Sequence, residues 1–455
     1  MGLIRRYFGT DGIRGQFGVE PMTPEFAFGA GAALGRWLVR RTPEASVVIG
    51  RDTRASGPLL EQALATGLDQ AGVAVELIGV LPTSAVSIAV VARGASAGVM
   101  ISASHNPYQD NGIKFFGPDG AKLADEAEAE LELLIDAERT GALPGWSFPL
   151  NREMEAESWA LRLYREVMSR SLPKEFSLGD RRILVDGANG AAWKSAPMVL
   201  RGFGAEVETI HCEPNGTNIN EACGSQDTAI LRQMVRDRGG RWIGLALDGD
   251  ADRAVLIDEE GSPLDGDDLL AIVGTARQAE GTLPGHRVVA TVMSNAGLAE
   301  SLAQVGVTLE RTDVGDRYVL ERMVETGAVL GGEQSGHVLF RDLMPTGDGL
   351  LTALQVLRVA ARTGKPLKEL RKVMVKFPQL LVGLKVKRKP PLGELPEVVR
   401  AVQEVEKQLG PKGRAFLRYS GTEPKVRLLV EGPPGSDLES LVEIILKPLR
   451  ECLCS

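Results

Sequence analysis

One rhythm governs most of this chain: a short Val- and Ile-rich run, a turn on Gly or Asp, then apolar residues at helical spacing. Segments that alternate in this way bury their apolar faces as helices packed on a largely parallel sheet. Ser46-Val47-Val48-Ile49-Gly50 reads as a strand, and Leu59, Leu60, Ala63, Leu64, Leu68 and Ala71 then fall on one helical face. Residues 73–80 and 97–101 read as the next strands, and 125–139 as an acidic helix. At 455 residues the chain is too long for a single core, so the rhythm must be divided among domains.

A second unit opens with a helix over 159–168. It continues through a strand at 182–186, a helix over 191–202, a helix with Ile230, Leu231, Met234 and Val235 on one face, and a strand at 242–247. The third has strands at 288–293, 307–312 and 329–330, with helices over 297–305, 317–325 and 348–362. After Lys365-Pro366 the character changes. A strand at 379–386, a charged loop at 387–391, a helix over 398–409, two strands around a turn within 415–431 and a helix over 438–449 make a smaller α+β unit. The expected domains are 1–150, 151–256, 257–370 and 371–455, the first three looking architecturally alike. Gly141-Ala142-Leu143-Pro144-Gly145 reads as the first linker.

The net charge of -8 argues against nucleic acid as a partner, and no apolar run reaches membrane-spanning length. Met1-Gly2-Leu3-Ile4-Arg5-Arg6 lacks the apolar core of a signal peptide, so a cytoplasmic protein is expected. Cys212, Cys223, Cys452 and Cys454 are too scattered for a disulfide framework, and Cys452-Leu453-Cys454 reads as a frayed, reduced tail.

Four polar stretches interrupt the rhythm. Ser102-Ala103-Ser104-His105-Asn106-Pro107 follows a strand and sets a hydroxyl, an imidazole and an amide side by side. It is suited to carrying a covalent group, and equally reads as a satisfied turn with two candidate serines. Asp248-Gly249-Asp250-Ala251-Asp252-Arg253 also follows a strand, and alternate residues of an extended segment point the same way. Three converging carboxylates repel one another unless a cation neutralises them, and oxygen ligands suit Mg²⁺. An EF-hand is disfavoured, because Arg253 stands where its sharp turn needs Gly and the flanks are strand-like.

Gly332-Glu333-Gln334-Ser335-Gly336-His337 can accept from vicinal sugar hydroxyls, or be a plain polar loop. Arg418-Tyr419-Ser420-Gly421-Thr422-Glu423-Pro424, with Arg427 beyond it, is either a concave anion site or a decorated hairpin turn. Phe8-Gly9-Thr10-Asp11-Gly12-Ile13-Arg14-Gly15 is Gly-rich but matches no nucleotide-binding pattern, and the glycines of 29–35 read as helix packing.

In this order the four stretches resemble the signatures of the α-D-phosphohexomutases, and the likeness runs from Tyr7 to about Gly432. Residues 7–15, Asn111-Gly112-Ile113-Lys114-Phe115-Phe116, Val314-Gly315-Asp316-Arg317-Tyr318-Val319 and 420–424 most resemble the branch that works on glucosamine phosphates. Ala251 stands where that branch usually has Gly, and a methyl there is tolerated if its φ is negative.

The resemblance implies four domains in a heart-shaped arrangement around a central cleft, three of them related α/β units with mixed sheets and the fourth a smaller α+β phosphate-binding domain. It implies an isomerase, an intramolecular phosphotransferase interconverting glucosamine 6-phosphate and glucosamine 1-phosphate. The route would be a phosphoserine enzyme and a glucosamine 1,6-bisphosphate, with product feeding UDP-N-acetylglucosamine synthesis. Ser104 would carry the phosphate and, with Asp248, Asp250 and Asp252, hold Mg²⁺. His105, Lys114 and Arg14 would serve the transfer, while Arg253, Arg317, Glu333, Ser335 and His337 would meet the sugar. Arg418, Ser420, Gly421, Thr422 and Arg427 would hold the idle phosphate. Glucosamine or glucose 1,6-bisphosphate would be the activator and a small phosphosugar the partner, with neither nucleic acid nor membrane; a homodimer is left open. A phosphoglucomutase or phosphomannomutase is the alternative within the family, and a silent sugar-phosphate binder the alternative outside it.

Overall fold

A computed structural model describes residues 6–9, 11–138, 153–420 and 424–454, with side chains from 159 onward in the second-to-last stretch. The expected linker at 141–145 lies outside the described residues. Four sheets organise the rest. The first contains β1 (Phe8–Gly9), β2 (Gly12–Gln16), β3 (Ser46–Arg51), β4 (Ala74–Val80), β5 (Ala97–Ile101) and β6 (Asp110–Phe116), in the order β1-β2-β6-β5-β3-β4. The second contains β7 (Arg182–Asp186), β8 (Glu206–Ile210), β9 (Trp242–Leu247), β10 (Ala254–Ile257) and β11 (Pro263–Leu264), in the order β11-β10-β9-β7-β8. This sheet runs past the domain break expected at 256.

The third contains β12 (Arg287–Thr291), β13 (Thr308–Thr312), β14 (Leu330–Gly332) and β15 (Val338–Phe340), in the order β13-β12-β14-β15. The fourth places β18 (Lys425–Glu431) between β16 (Gln379–Lys385) and β17 (Arg414–Tyr419), all antiparallel.

The first three sheets share a plan. Each has a parallel core, β4-β3-β5, β8-β7-β9 or β13-β12-β14. The last strand of each core then turns back into an antiparallel neighbour, β6, β10 or β15. The three connections are residues 102–109, 248–253 and 333–337, while 420–424 lie between the paired β17 and β18. Three of the four polar stretches are therefore strand-to-strand turns. β5 and β9 are buried along their whole length, which fixes where their turns emerge.

Helix Pro24–Val39 starts at Thr23, whose hydroxyl accepts from the Phe26 amide, and packs on helix Gly57–Gln70. A Cβ on Gly31 would come 2.1 Å from the Leu64 carbonyl, and one on Gly67 2.2 Å from that of Phe28. The glycine-rich run is a close helix contact, as read from the sequence. A large apolar core continues through the first three units, from Val48 and Phe116 through Ile183 and Leu247 to Leu354. The fourth unit has its own core around Val405, Leu428 and Ile445.

Two local expectations need correction. Residues 191–194 are turns and the helix is Ser195–Gly202, because the Ala191 amide is committed to the Gly249 carbonyl (2.8 Å). The C-terminus is no frayed tail: the last helix runs Leu438–Leu453, and Arg388 Nε donates to the Cys452 carbonyl (2.9 Å). Among the described residues no helix is long and apolar enough to cross a membrane.

Candidate active site

Ser104 is fully buried and left-handed, with φ 51. That backbone aims its Oγ across the domain boundary at Asp248 Oδ2, 2.7 Å away, while His105 Nδ1 lies at 3.4 Å. Ser102, the other candidate, faces inward: its hydroxyl donates to Asp52 (2.6 Å) and accepts the Ser104 amide (2.9 Å). The turn therefore uses both serines, one as a brace and one pointing at the carboxylates of the second unit.

One oxygen from each of Asp248, Asp250 and Asp252 lies within 4.8 Å of the others. All three residues are at most 5 % exposed, and Oδ1 of Asp250 and of Asp252 has no hydrogen-bond partner. Orphaned carboxylate oxygens beside a buried hydroxyl suit a hard divalent cation, so the donor set fits Mg²⁺. Burial, then Asp252 and Asp250, push the Asp248 carboxyl well up. Burial also acts against ionised Asp252, but Lys114 and then His337 outweigh it and hold that carboxyl well down. Ala251 has φ 60, not the negative angle at which a methyl is tolerated, because its amide closes a turn on the Asp248 carbonyl (3.0 Å) and its carbonyl accepts the Gly349 amide (2.9 Å).

Lys114 is buried and bridges domains. Its Nζ lies 2.8 Å from Asp250, 3.3 Å from Asp252 and 3.1 Å from Asp11. Burial disfavours its charge, but Asp11, Asp250 and Asp252 outweigh that and raise its pKa well above normal. Arg14 pairs with Asp11. His105 stays neutral: burial, then the cations Arg253 and Arg14, lower its pKa to about 4. His337 is the reverse, since Asp252, Asp316 and Glu333 outweigh its burial and lift it to about 9. Its Nδ1 lies 3.6 Å from Asp252 and its Nε2 3.6 Å from Asp316. Arg253 Nε lies 3.7 Å from Asp252, and Glu333 accepts the Gly315 amide (3.1 Å). The Ser335 hydroxyl is buried without a partner.

Not every expected residue joins this cluster. Arg317 turns to the helix Asp125–Glu138, binding Glu128 (3.1 Å), Asp125 and its own helix's Glu321 (3.3 Å). Arg418 and Arg427 face each other across β17 and β18, and burial followed by the Arg427 charge lowers the Arg418 pKa. Like charges placed opposite each other are unfavourable without an anion. The Ser420 carbonyl accepts Lys389 Nζ (2.8 Å), while Gly421 and Thr422 lie outside the described residues.

Sequence reasoning missed Asp11, Thr83, Lys122 and Asp316 as site residues. Thr83 Oγ1 donates to Asp250 (2.7 Å), and Lys122 bridges Asp11 and Asp316. Asp11 and Asp316 sit in stretches the sequence singled out; Thr83 and Lys122 have no local signal.

Models of four domains described as "Phosphoglucomutase/phosphomannomutase" match residues 5–142 (alpha/beta/alpha domain I), 164–261 (II), 265–377 (III) and 357–447 (C-terminal domain). The chain is 46% identical over 460 residues to a phosphoglucosamine mutase of Anaeromyxobacter dehalogenans, covering 99% of this chain and 100% of that one. It is 47% identical to one of Deinococcus radiodurans, with 98% of each covered. A phosphoglucomutase/phosphomannomutase family protein of Burkholderia thailandensis superposes with a TM-score of 0.79 at 25% identity, over 97% of both chains. An Aspergillus fumigatus N-acetylphosphoglucosamine mutase, solved with GlcNAc-6P and magnesium, shares the fold at TM-score 0.66 and 18% identity, over 98% of this chain and 96% of that one.

Proposed function

The chain belongs to the phosphoglucomutase/phosphomannomutase family and is an isomerase, and from that premise we propose that it interconverts glucosamine 6-phosphate and glucosamine 1-phosphate through a phosphoserine at Ser104. The observation that carries the reading is the buried Ser104 hydroxyl held 2.7 Å from Asp248, at the edge of a carboxylate triad with orphaned oxygens.

In the forward direction the P–Oγ bond of phosphoserine 104 breaks as a bond forms to O1 of the bound 6-phosphate, whose hydroxyl proton leaves. The bisphosphate turns around, the P–O6 bond breaks as a P–Oγ bond forms at Ser104, O6 takes up a proton, and glucosamine 1-phosphate leaves. His105, kept neutral, is the acceptor for a proton beside Oγ. Lys114, kept charged, offsets negative charge as the phosphoryl moves. Asp248, Asp250 and Asp252, with an oxygen on Ser104, would hold Mg²⁺, which supplies electrostatic stabilisation of the transferring group when bound. Glu333, Ser335, His337 and Arg253 orient the sugar through its hydroxyls, alike in both orientations. Arg418, Ser420 and Arg427, with Gly421 and Thr422, hold the idle phosphate. Arg317, engaged with Glu128, positions the third unit against the first rather than meeting the sugar.

The proposed units are 1–150, 151 to about 264, about 265–370 and 371–455, since β10 and β11 belong to the second sheet. The reading places the enzyme in the cytoplasm, feeding UDP-N-acetylglucosamine synthesis, with a sugar 1,6-bisphosphate as activator.

Ser104→Ala is the decisive variant. With glucose 1,6-bisphosphate present, turnover is expected to fall at least ~10³-fold, and full turnover would sink the phosphoserine reading. Rates on glucosamine, glucose and mannose phosphates test the substrate: a preference for either neutral sugar overturns the amino-sugar assignment.

A further inference from the structure

The loop over 211–224 of the second unit touches none of the groups that react, yet it is the most constrained backbone described. Of eight non-glycine residues with positive φ among the described residues, five lie in it or against its base: Ala188, Asn189, His211, Asn220 and Ala222. Such conformations persist only where the surroundings over-determine them, and they gather at functional places.

One carboxylate closes the loop. Asp186, at the end of β7, accepts the Gly224 amide (3.0 Å) on Oδ2, where His211 Nδ1 also lies at 3.0 Å, and accepts the Ala188 amide (2.9 Å) on Oδ1. Residues 211 and 224 are thus tied to the same oxygen. Cys223 Sγ lies within 4.8 Å of this pair, but both carboxylate oxygens are already engaged, so the group is a staple. Asn189 fills the interior, its Oδ1 accepting the Glu213 amide (3.1 Å) and its Nδ2 donating to the Asn218 carbonyl (3.2 Å).

The loop then reaches across to the first unit. The Ala55 amide donates to the Gly216 carbonyl (2.9 Å), and Thr53 Oγ1 donates to the Asn189 carbonyl. Asn220 Nδ2 donates to the carbonyls of Ser104 (2.8 Å) and Asn106 (3.0 Å). The same two carbonyls accept Arg54 Nη2, each at 2.9 Å, from the buried Arg54–Asp52 pair. The Ser104 carbonyl is gripped from two domains while its amide rests on Ser102, and these three bonds hold the left-handed turn that aims Oγ at Asp248.

We propose that loop 211–224 is a positioning arm for the phosphoryl carrier, with Asn220 its contact residue, setting the rate of phosphoryl transfer at Ser104 without touching the sugar. This rests on the phosphoserine reading above. The test is uptake of phosphate by dephosphorylated protein from glucose 1,6-bisphosphate. A P–O bond of the bisphosphate breaks as the P–Oγ bond forms, the Ser104 hydroxyl proton leaves, and a glucose monophosphate departs. Intact-protein mass follows the gain.

Asn220→Gly keeps a backbone at ease in the left-handed region and deletes the donor. Asn220→Asp keeps the shape and sets an anion against two carbonyls. Both are expected to charge Ser104 at least ~10-fold more slowly and to lower kcat alike, with KM for the sugar phosphate within about twofold of wild type. Charging at the wild-type rate in both variants overturns the proposal. So does a rise in KM at unchanged kcat, which would mark a sugar contact, or a loss that vanishes on cooling well below the melting temperature, which would mark a folding defect. Wild-type protein that takes up no phosphate overturns the parent reading, and this proposal with it.

Discussion

Ala251 carries a methyl group on a left-handed backbone inside the carboxylate turn, where only glycine is free of penalty. Ala251→Gly is expected to stabilise the folded protein by about 0.5–1 kcal/mol, the relief of steric strain exceeding glycine's entropy cost. A lowered melting temperature would contradict this. Asp267 offers a second case. Burial and then Asp265 push its carboxyl up to about 7, against an ordinary 3.8. Between those values the folded chain holds a proton that the unfolded chain has released, so stability falls as pH rises through that window. Asp267→Asn removes the proton from the balance. Comparing urea midpoints near pH 5 and pH 8, the variant should lose about 2 kcal/mol less than wild type; parallel losses would refute the assignment. The three aspartates were legible because their alternate spacing itself implies convergence, whereas the choice of Ser104 over Ser102 came from the family resemblance. Thr83 and Lys122 were not legible, because a lone polar side chain gains its role only from a partner far along the chain.

At the scale of elements, the alternation of buried runs and helical stripes announced most parallel strands. It did not announce β8, whose Glu206–Ile210 run is half polar and lies at a sheet edge, or the short β11. β6 was hidden by its polar start, Asp110-Asn111-Gly112, although it carries Lys114 to Asp250 and Asp252. Helix contacts were clearer. Gly31→Ala would drive a methyl to 2.1 Å from the Leu64 carbonyl, which belongs to backbone and cannot turn aside. The two helices must separate, at a cost of about 1–3 kcal/mol. Thermal unfolding should show a lower midpoint, and an unchanged midpoint would mean the helix pair has slack that its geometry denies.

Across the whole molecule, single buried groups fasten one unit to another. Asp348, which caps the third unit's helix Gly349–Thr363, accepts the hydroxyls of Ser84 from the first unit and Tyr164 from the second. Arg414 fastens the fourth unit, donating to the carbonyls of Val292 (2.6 Å) and Ser294 (2.7 Å) and pairing with fully buried Glu431. Arg414→Ala strips that carboxylate of its cation, a loss of about 3–5 kcal/mol for a buried pair. The expected result is an earlier calorimetric transition for the C-terminal unit and a larger radius of gyration by small-angle scattering; one unaltered transition would refute it. These joints were invisible in the sequence, since nothing near Arg414 or Asp348 marks a partner more than a hundred residues away.

The bridge from Lys114 to Asp250 spans 136 residues. A ribosome adds about 5–20 residues each second, so about 7–27 seconds separate the birth of that ammonium from the birth of its carboxylate. Through that interval Asp11, already made, is the one of the ammonium's three carboxylate partners that can answer the charge, and Asp250 and Asp252 join only when later chain arrives. Synthesis therefore imposes an order on the site: Ser104 emerges first, and the acids that surround its hydroxyl come afterwards.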